Sequence, residues 1–259
     1  MMDKAQHDLG KRVKKFSPKR IVVKVGTSSL TDATGKISPP LLKEIAGAIE
    51  LIRKALGAKV SLVSSGAGAA GRAALGLSLP LTMPYKQAAA AVGQSLLMFD
   101  WAKAFEESPV AQLLLTADDI NNDQRYFNAQ NALEAALDLG SIPIINENDS
   151  ITTSEIKFGD NDTLSAWVAY LMNAELLILL TDIDGLYEAD PRKYPEAKRL
   201  DVVEDVKQVQ HLAGKAGSSR GTGGMVTKLR AAEIASERGI ATMIISGGEG
   251  ARAASQSQL

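Results

Sequence analysis

The sequence predicts an α/β protein in which a mainly parallel sheet lies between two layers of helices, a three-layer αβα sandwich. Six short runs are apolar at consecutive positions, as in strands covered on both faces: Ile21–Val25, Lys59–Val63, Gln112–Leu115, Ile142–Ile145, Leu176–Leu180 and Thr242–Ile245. Amphipathic stretches of helical length alternate with them: Leu41–Leu56, Tyr85–Phe105, Asn128–Leu139, Thr163–Met172 and Gly224–Arg238. Strands that alternate with helices are typical of a parallel sheet with helices on both faces.

The composition restricts the chemistry that the chain can perform. Its 259 residues include no cysteine and two histidines, His7 and His211. Disulfides, thiolate metal sites and cysteine nucleophiles are thereby excluded. Two histidines also provide few ligands for a zinc site and few candidates for a histidine-based triad. A net charge of −1 gives no electrostatic reason to expect nucleic acid or an anionic membrane as a partner. Carboxylates, lysines, hydroxyls and backbone amides must therefore carry the function.

The two ends of the chain differ in composition from its middle. Residues 1–19 are rich in lysine and arginine, without the apolar run of a secretory signal, and no stretch approaches a membrane span. We expect a basic tail over residues 1–19, one domain over 20–250, a polar tail over 251–259 and a cytoplasmic location. Two excursions, Ile151–Asp160 and Tyr187–Asp201, look irregular and suit a lid or a small hairpin.

Polar and glycine residues follow four of the predicted strands. Lys24-Val25-Gly26 ends the first strand, Ser64–Gly68 follows the second, Asn146–Asp149 the fourth and Thr181–Gly185 the fifth. Ordinary turns would explain any one of these segments. In open parallel sheets, however, ligands bind at the carboxyl ends of the strands. Four such segments together predict one shared site.

The segment Gly66–Gly71 reads G-x-G-x-x-G, a pattern found in dinucleotide-binding turns. That function requires an acidic residue about 20 positions later, and residues 67–99 contain neither Asp nor Glu. The dinucleotide interpretation is therefore disfavoured. The amides at the start of the following helix still favour an anionic group, either a carboxylate or a phosphate.

A second glycine-rich segment, Gly221–Lys228, opens the last long helix. Its glycines let the backbone approach an anion, and Lys228 lies about one turn inside the helix. No P-loop is present, because Gly35-Lys36 is followed by Ile37 and Gly214-Lys215 by Ala216, and the protein-kinase triplets are also absent. Any use of ATP must rely on another scaffold.

Acidic and amide side chains cluster at Asn146–Asp149 and at Asp160–Asp162. Asp160 or Asp162 suits a helix N-cap, which is the commoner role of Asp before an apolar helix. The clusters contain more polar groups than capping needs. They also suit recognition of an amine, orientation of lysines, or Mg²⁺ held through water.

These segments together resemble the amino acid kinase family, and within it the branch that phosphorylates glutamate on its side-chain carboxylate. The resemblance extends from about residue 20 to about 247 and rests on motifs in family order: Val23–Ser28, Ser64–Ala67, Lys86-Gln87, Ala91–Gln94, Asn146–Asp149, Gly159–Asp162, Leu180–Asp182, Gly185–Tyr187, Ala189–Pro191 and Gly221–Lys228.

The resemblance implies a role for each matching residue. Lys24 and Lys228 would contact the transferred phosphoryl group, and Asp162 would hold both lysines. Ser65, Asn146, Asp149 and Asn161 would bind glutamate with the amides of Gly66 and Ala67. ATP with Mg²⁺ would bind at Lys24, Gly26, Thr181, Asp182, Thr222, Gly223, Gly224, Met225, Val226, Thr227 and Lys228. No metal ligand is assigned to the protein itself.

The resemblance also raises expectations about partners and leaves alternatives open. Many bacterial members continue with a C-terminal PUA domain of roughly 100 residues, a size usual for a small domain, whereas this sequence ends in a polar tail. We therefore expect a single-domain form or the kinase part of a longer one. The resemblance implies inhibition by proline, assembly into a dimer or tetramer, and a glutamyl phosphate reductase as partner. The alternatives are a kinase for another carboxylate, such as N-acetylglutamate or aspartate, and a catalytically silent amino-acid sensor.

Overall fold

The computed structural model describes residues 16–78, 80–152, 160–191, 193–213 and 224–247. In chain order its strands are β1 (Arg20–Val25), β2 (Lys59–Ser64), β3 (Val110–Leu115), β4 (Ile142–Glu147), β5 (Leu176–Thr181), β6 (Leu186–Tyr187), β7 (Arg199–Leu200) and β8 (Ala241–Ser246). Six of them form one sheet in the order β3-β4-β2-β1-β5-β8, and every neighbouring pair is parallel. All six predicted strands and their parallel arrangement are confirmed.

Helices cover both faces of this sheet. In chain order they are α1 (Pro39–Leu56), α2 (Ala67–Leu75), α3 (Met83–Ala104), α4 (Ala117–Asn121), α5 (Asp123–Asp138), α6 (Asn161–Leu171), α7 (Val206–Ala213) and α8 (Met225–Ser236). One core lies between the sheet and helices α1 and α3, and a second lies between the sheet and helices α5, α6 and α8. The predicted three-layer αβα sandwich is confirmed.

Burial is less complete at the two edges of the sheet than at its centre. Strands β4 and β5 are buried along their whole length, whereas β3 and β8 are mostly half-buried. Edge strands have a neighbouring strand on one side only and are less fully covered here. The sequence prediction of strands covered on both faces is therefore accurate for the central strands. Among the described residues, no helix is long and apolar enough to cross a bilayer.

Helices α2 and α3 cross at two glycines with their backbones in contact. A Cβ atom added to Gly71 would lie 1.7 Å from the carbonyl oxygen of Ala89, and one added to Gly93 would lie 1.8 Å from that of Ala67. No side chain fits at either position. The last glycine of the G-x-G-x-x-G pattern therefore serves helix packing.

The excursion over residues 187–201 contains the second strand of a small hairpin, one of the two structures that its sequence suits. Strands β6 and β7 pair antiparallel, with Leu186 opposite Leu200. Leu186 packs with Met225 and Leu229 of α8 in a small third apolar cluster. The hairpin is thereby fixed against the helix that Gly224 begins. Most of the other excursion, residues 153–159, lies outside the described residues.

Candidate active site

The four polar strand ends meet along one edge of the sheet, as the sequence predicts. Val25 is level with Ser64 of β2 on one side and with Leu180 of β5 on the other. Ser65 and Thr181 each lie one residue beyond that level. Since neighbouring strands are about 4.8 Å apart, the ends of β2 and β5 lie on either side of the end of β1, about 10 Å from each other.

Lys24 points to the face of the sheet that α6 and α8 cover. Side chains alternate between the two faces of a strand. Val23 and Val25 belong to the core beneath α1 and α3, and Val22 belongs to the core beneath α5, α6 and α8. Lys24 shares the face of Val22. A lysine at this position is buried, with 5% of its surface exposed, so its charge requires a partner within the protein.

Asp162 is that partner, and it bridges two lysines. Its Oδ1 lies 2.6 Å from Nζ of Lys24, and its Oδ2 lies 3.2 Å from Nζ of Lys228. The hydroxyl of Thr227 donates to the same Oδ2 at 2.6 Å. Asp162 has no exposed surface, and Lys228 has 4%. The structure thus brings together the three residues predicted to be catalytic, which come from β1, α6 and α8.

The two candidate cap residues of α6 have different roles. The carboxylate of Asp160 accepts from the backbone amide of Thr163 at 2.8 Å, so Asp160 is the N-cap. Asp162 lies two residues later, in the first turn of the helix, where successive side chains are rotated by about 100°. Its carboxylate therefore turns away from the cap and into the lysine cluster.

The cluster shifts the pKa values of Asp162 and Lys24. Burial is the largest influence on Asp162 and would raise its pKa, but Lys24, Lys228 and Thr227 outweigh it and the pKa lies below its ordinary value. Burial is also the largest influence on Lys24 and lowers its pKa; Lys228 lowers it further, and Asp162 offsets only part of the shift. Two ammonium groups and one carboxylate carry a net charge of +1, which favours a nearby anion.

A chain of side-chain amides occupies the β2 and β4 side of the edge. Nδ2 of Asn161 donates to Oγ of Ser65 at 2.8 Å and to Oδ1 of Asn146 at 2.9 Å. Nδ2 of Asn146 in turn donates to Oε1 of Gln94 at 2.9 Å. Asn161 and Asp162 are adjacent residues, so the first turn of α6 reaches the amide chain with one side chain and the lysine cluster with the next.

The start of α2 adjoins this amide chain. Gly66 precedes the helix with φ of +113°, a left-handed conformation that a side chain would strain. Ala67 is the first helical residue and is buried. The amides at such a helix start point outward and favour an anionic group. Asp149 follows β4 in a turn closed by its own amide, which donates to the carbonyl of Glu147 at 2.9 Å.

A cavity of about 220 Å³ opens on the β5 and β8 side of the same edge. Thr181 and Asp182, which are predicted to bind nucleotide, line it, and the hydroxyl of Thr181 donates to Oδ1 of Asp182 at 3.1 Å. The other lining residues come from the turn after β1, from α1 and from the end of β8: Ser28, Ser29, Leu41, Glu44, Ile45, Ser246 and Gly247. Gly26 adjoins the lysine cluster, since a Cβ there would lie 3.5 Å from Nζ of Lys24.

The first turn of α8 contributes to the cluster and to the core. Gly224 precedes the helix, Met225 is buried in the third apolar cluster, and Val226 is 57% exposed. The hydroxyl of Thr227 donates a hydrogen bond to Asp162, so it points into the lysine cluster rather than outward. Thr222 and Gly223, also predicted to bind nucleotide, lie outside the described residues.

The described residues supply no magnesium cage. No group of three or more acidic or histidine side chains among them is placed to hold a metal ion. Both oxygens of Asp162 face ammonium groups. Mg²⁺ is commonly held by substrate phosphates and water with one or two carboxylates.

Sequence reasoning assigned no role to two residues that support the site. Gln94 belongs to a motif of the family resemblance, yet nothing in the sequence indicated its contact with Asn146, 52 residues away. Trp101 is fully buried and donates from its indole nitrogen to Oγ of Ser64 at 2.9 Å, which fixes the strand end before Ser65. A buried Trp usually finds such a partner, but its identity depends on the fold.

Comparison of the sequence with known proteins gives several close relatives. Glutamate 5-kinase of Geobacter sulfurreducens is 49% identical over 233 residues, and that of Desulfitobacterium hafniense is 51% identical over 230 residues. Glutamate 5-kinase of Streptococcus pneumoniae is 50% identical over 232 residues. Each alignment covers 88% of this chain and 62% or 63% of the relative. The chain therefore spans less than two thirds of the length of these curated relatives.

Solved structures share the fold at lower sequence identity. Carbamate kinase from Giardia lamblia bound to AMP-PNP has a TM-score of 0.65 at 19% identity, covering 92% of this chain and 95% of that one. UMP kinase from Bacillus anthracis has a TM-score of 0.60 at 17% identity, covering 89% and 88%. The sequence profile of the Amino acid kinase family matches residues 19–246, which include every described strand and helix. Because that match extends through the whole sheet and its polar edge, the chain belongs to the amino acid kinase family.

Proposed function

We propose that the domain over residues 20–250 transfers the γ-phosphoryl group of ATP to the side-chain carboxylate of L-glutamate. The products are L-glutamyl 5-phosphate and ADP, and the reaction is the first step toward proline. The buried Lys24–Asp162–Lys228 cluster carries the proposal, because it holds two cations at the centre of the polar edge. The identity of about 50% to glutamate 5-kinases favours glutamate over an acetylated substrate or aspartate.

The chemistry requires two anions to approach each other. An oxygen of the glutamate carboxylate forms a bond to the γ-phosphorus while the bond between that phosphorus and the bridging oxygen breaks, and the electron pair leaves with ADP. No proton moves, because a glutamate side chain with a reference pKa of about 4.3 is already ionised at neutral pH. Catalysis therefore rests on alignment and on neutralising charge at the transferred group.

Lys24 and Lys228 supply that neutralisation in this proposal. Asp162 holds each ammonium group with one oxygen, so the two cations stay close despite their mutual repulsion. Burial keeps their charges from being screened by water. Since the positions are fixed before the phosphoryl group arrives, little reorganisation is needed during transfer.

Glutamate binds on the β2 and β4 side in this proposal. Ser65, Asp149 and Asn161 contact the amino acid together with the amides of Gly66 and Ala67. Asn146 takes part through Asn161, because its Oδ1 accepts from Asn161 and from the amide of Glu147. A carboxylate such as Asp149 favours a free α-ammonium group over an acetylated one.

The nucleotide occupies the opposite side of the lysine cluster. Thr181 and Asp182 line the cavity there. Gly26 and the first turn of α8, residues 224–228, contact the phosphates, and Thr222 and Gly223 remain predicted nucleotide contacts. Mg²⁺ accompanies ATP as part of the substrate, held by phosphate oxygens and water.

The wider proposal concerns partners and regulation. By its family membership, the chain is proposed to act in the cytoplasm as a homo-oligomer, a dimer or tetramer, with proline as an inhibitor and a glutamyl phosphate reductase receiving the labile product. Sedimentation measurements test the oligomeric state, and an inhibition assay tests the role of proline. Co-purification tests the association with the reductase.

A coupled assay for ADP release tests the reaction itself. The purified protein should release ADP only when glutamate, ATP and Mg²⁺ are all present, and hydroxylamine should trap the acyl phosphate product. Lys228→Ala and Asp162→Ala should each reduce kcat by at least about 100-fold, the scale seen when one stabilising group at developing charge is removed. Lys43→Ala is the control, because Lys43 pairs with Glu106 at the surface with 67% of its side chain exposed.

The outcomes separate the proposal from its alternatives. ADP release at the same rate without glutamate would contradict the proposal, as would full activity in both cluster variants. A higher rate with N-acetylglutamate or aspartate would indicate the related kinase. Binding of glutamate or proline without turnover would indicate a silent sensor.

A further inference from the structure

One backbone amide sets the orientation of the amide chain beside α2. A backbone N–H can only donate, and that of Glu147 donates to Oδ1 of Asn146 at 2.9 Å. Oδ1 of Asn146 must therefore be the oxygen of its amide, which agrees with its second contact, from Nδ2 of Asn161. The nitrogen of Asn146 then faces Gln94, and Gln94 must present its oxygen, Oε1.

This orientation leaves the nitrogen of Gln94 without a hydrogen-bond partner. Gln94 is 8% exposed, and its Nε2 is a buried atom that makes no hydrogen bond within the part of the chain that the structure describes. Turning the amide around would place two NH₂ groups against each other at Asn146. A buried donor without an acceptor is costly, and a ligand group that accepts from Nε2 of Gln94 would remove that cost.

Gln94 lies where α3 passes the first turn of α2. The backbone of the preceding residue, Gly93, is in contact with the carbonyl of Ala67, so the two helices meet at that point. Gln94 therefore lies at the same corner of the fold as Gly66, Ala67 and Asn146, where its NH₂ group and the amides at the start of α2 can serve one ligand. Several donors that converge in a buried place favour an anion with two or more acceptor oxygens, and a carboxylate is such a group.

We propose that Gln94 donates through Nε2 to the α-carboxylate of the amino-acid substrate and is a specificity-determining residue of this kinase. The assignment to the α end follows from position, because Asn161 and Asn146 lie between Gln94 and the lysine cluster that takes the reacting carboxylate. The inference rests on the proposed glutamate kinase function. It adds that the enzyme distinguishes an α-carboxylate from an uncharged group at that position.

Gln94→Glu separates the donor role from a structural one. The variant keeps an oxygen that accepts from Asn146 but replaces the NH₂ donor with a second oxygen. The KM for glutamate should rise by about 10- to 100-fold, as expected when a charge-assisted hydrogen bond is lost, while the KM for ATP stays within about twofold. The variant should also lose most of the preference for glutamate over glutamate α-amide. Protonation of the new carboxyl restores a donor, so the KM defect should shrink as the pH is lowered.

Gln130→Glu is the matched control. Nε2 of Gln130 donates to the carbonyl of Leu171 at 2.9 Å, away from the polar edge of the sheet. The same chemical change there should lower the melting temperature and leave the KM for glutamate unchanged. If Gln94→Glu does not fold, Gln94→Met, of similar length, removes the donor without adding a charge and should raise the KM for glutamate more than the KM for ATP.

Calorimetric binding of glutamate to the wild-type protein keeps the two proposals distinguishable. An unchanged KM for glutamate in Gln94→Glu, with only a lower melting temperature, would overturn the role of Gln94 and leave the function standing. If the wild-type protein binds glutamate without turnover, the function fails and the effect of Gln94→Glu on affinity decides the role of Gln94. If it neither binds nor phosphorylates glutamate, both proposals fail.

Discussion

Replacing Asp162 with Asn removes the negative charge between two buried lysines while keeping the size of the side chain. The amide can still accept the hydrogen bond from Thr227, which now lies 2.6 Å from Oδ2. It cannot neutralise Lys24 and Lys228, whose ammonium groups lie 2.6 and 3.2 Å from the two oxygens. The folded protein must then hold two like charges away from water.

The size of the loss follows from these distances. At an effective dielectric constant of about 20, each contact of roughly 3 Å is worth about 5–6 kcal/mol of attraction. Much of this attraction offsets the desolvation of the ions, so removal of one member of a buried pair costs about 3–5 kcal/mol. Domains are typically stable by about 5–15 kcal/mol. Asp162→Asn should therefore lose a large part of its unfolding free energy and, where it folds, nearly all of its activity.

Urea unfolding at two pH values measures this loss and tests its origin. Burial already lowers the pKa of Lys24 in the wild-type protein, and without Asp162 the pKa falls further. Between that lowered pKa and the ordinary value, the unfolded chain binds more protons than the folded one, so stability rises with pH. The deficit of Asp162→Asn should be about 3–5 kcal/mol at pH 7 and smaller near pH 9.5.

Asp160→Asn is the matched stability control, because Asp160 serves as the N-cap of α6 and Asn caps helices about as well as Asp. Its unfolding free energy should change by less than about 1 kcal/mol. The reasoning is refuted if Asp162→Asn is also within that range of the wild type. It is equally refuted if the deficit is the same at both pH values.

Two other predictions concern the lysine cluster and the helix crossing. Because the pKa of Lys24 is lowered, its ammonium group loses its proton at a pH below the ordinary pKa of 10.5. The kcat should therefore begin to fall at alkaline pH before pH 10.5 is reached. The contribution of Lys24 to the free energy of unfolding increases over the same pH interval, so the circular dichroism signal of the folded protein should persist where kcat falls. Unfolding in parallel with the loss of kcat would contradict this account. Gly71→Ala should destabilise the protein by about 1–3 kcal/mol or more, since its Cβ would lie 1.7 Å from a backbone oxygen. In Gly47→Ala, where nothing lies within 4 Å, stability should increase by about 0.5–1 kcal/mol, and equal melting temperatures for the two variants would show that the helices do not meet as described.

The fold class could be predicted because its signals are local. The central strands are apolar at most of their positions, and such runs between helical stretches occur in few other arrangements. Short elements with weaker local signals were predicted less well. Helices α4 and α7 are short and polar, and β6 and β7 span two residues each, too few for a recognisable period.

The candidate site was predictable in its place and only partly in its contacts. Residues that follow parallel strands must meet at one edge, so Lys24, Ser65 and Thr181 could be grouped without a structure. The choice between Asp160 and Asp162 as helix cap stayed open, because both fit the pattern. Only the direction of each side chain within the first turn of α6 decides it.

The α/β sandwich and its polar edge follow from the amino-acid sequence alone, since periodicity and turn residues act over a few neighbouring positions. Tertiary structure decided which polar groups face each other: Asp162 with Lys24 and Lys228, and Asn146 with Gln94. These partners are separated by 52 to 138 residues or come from different layers of the sandwich. Buried charges and amides depend on the angle and distance between elements, and such long-range geometry leaves no periodic pattern in the chain.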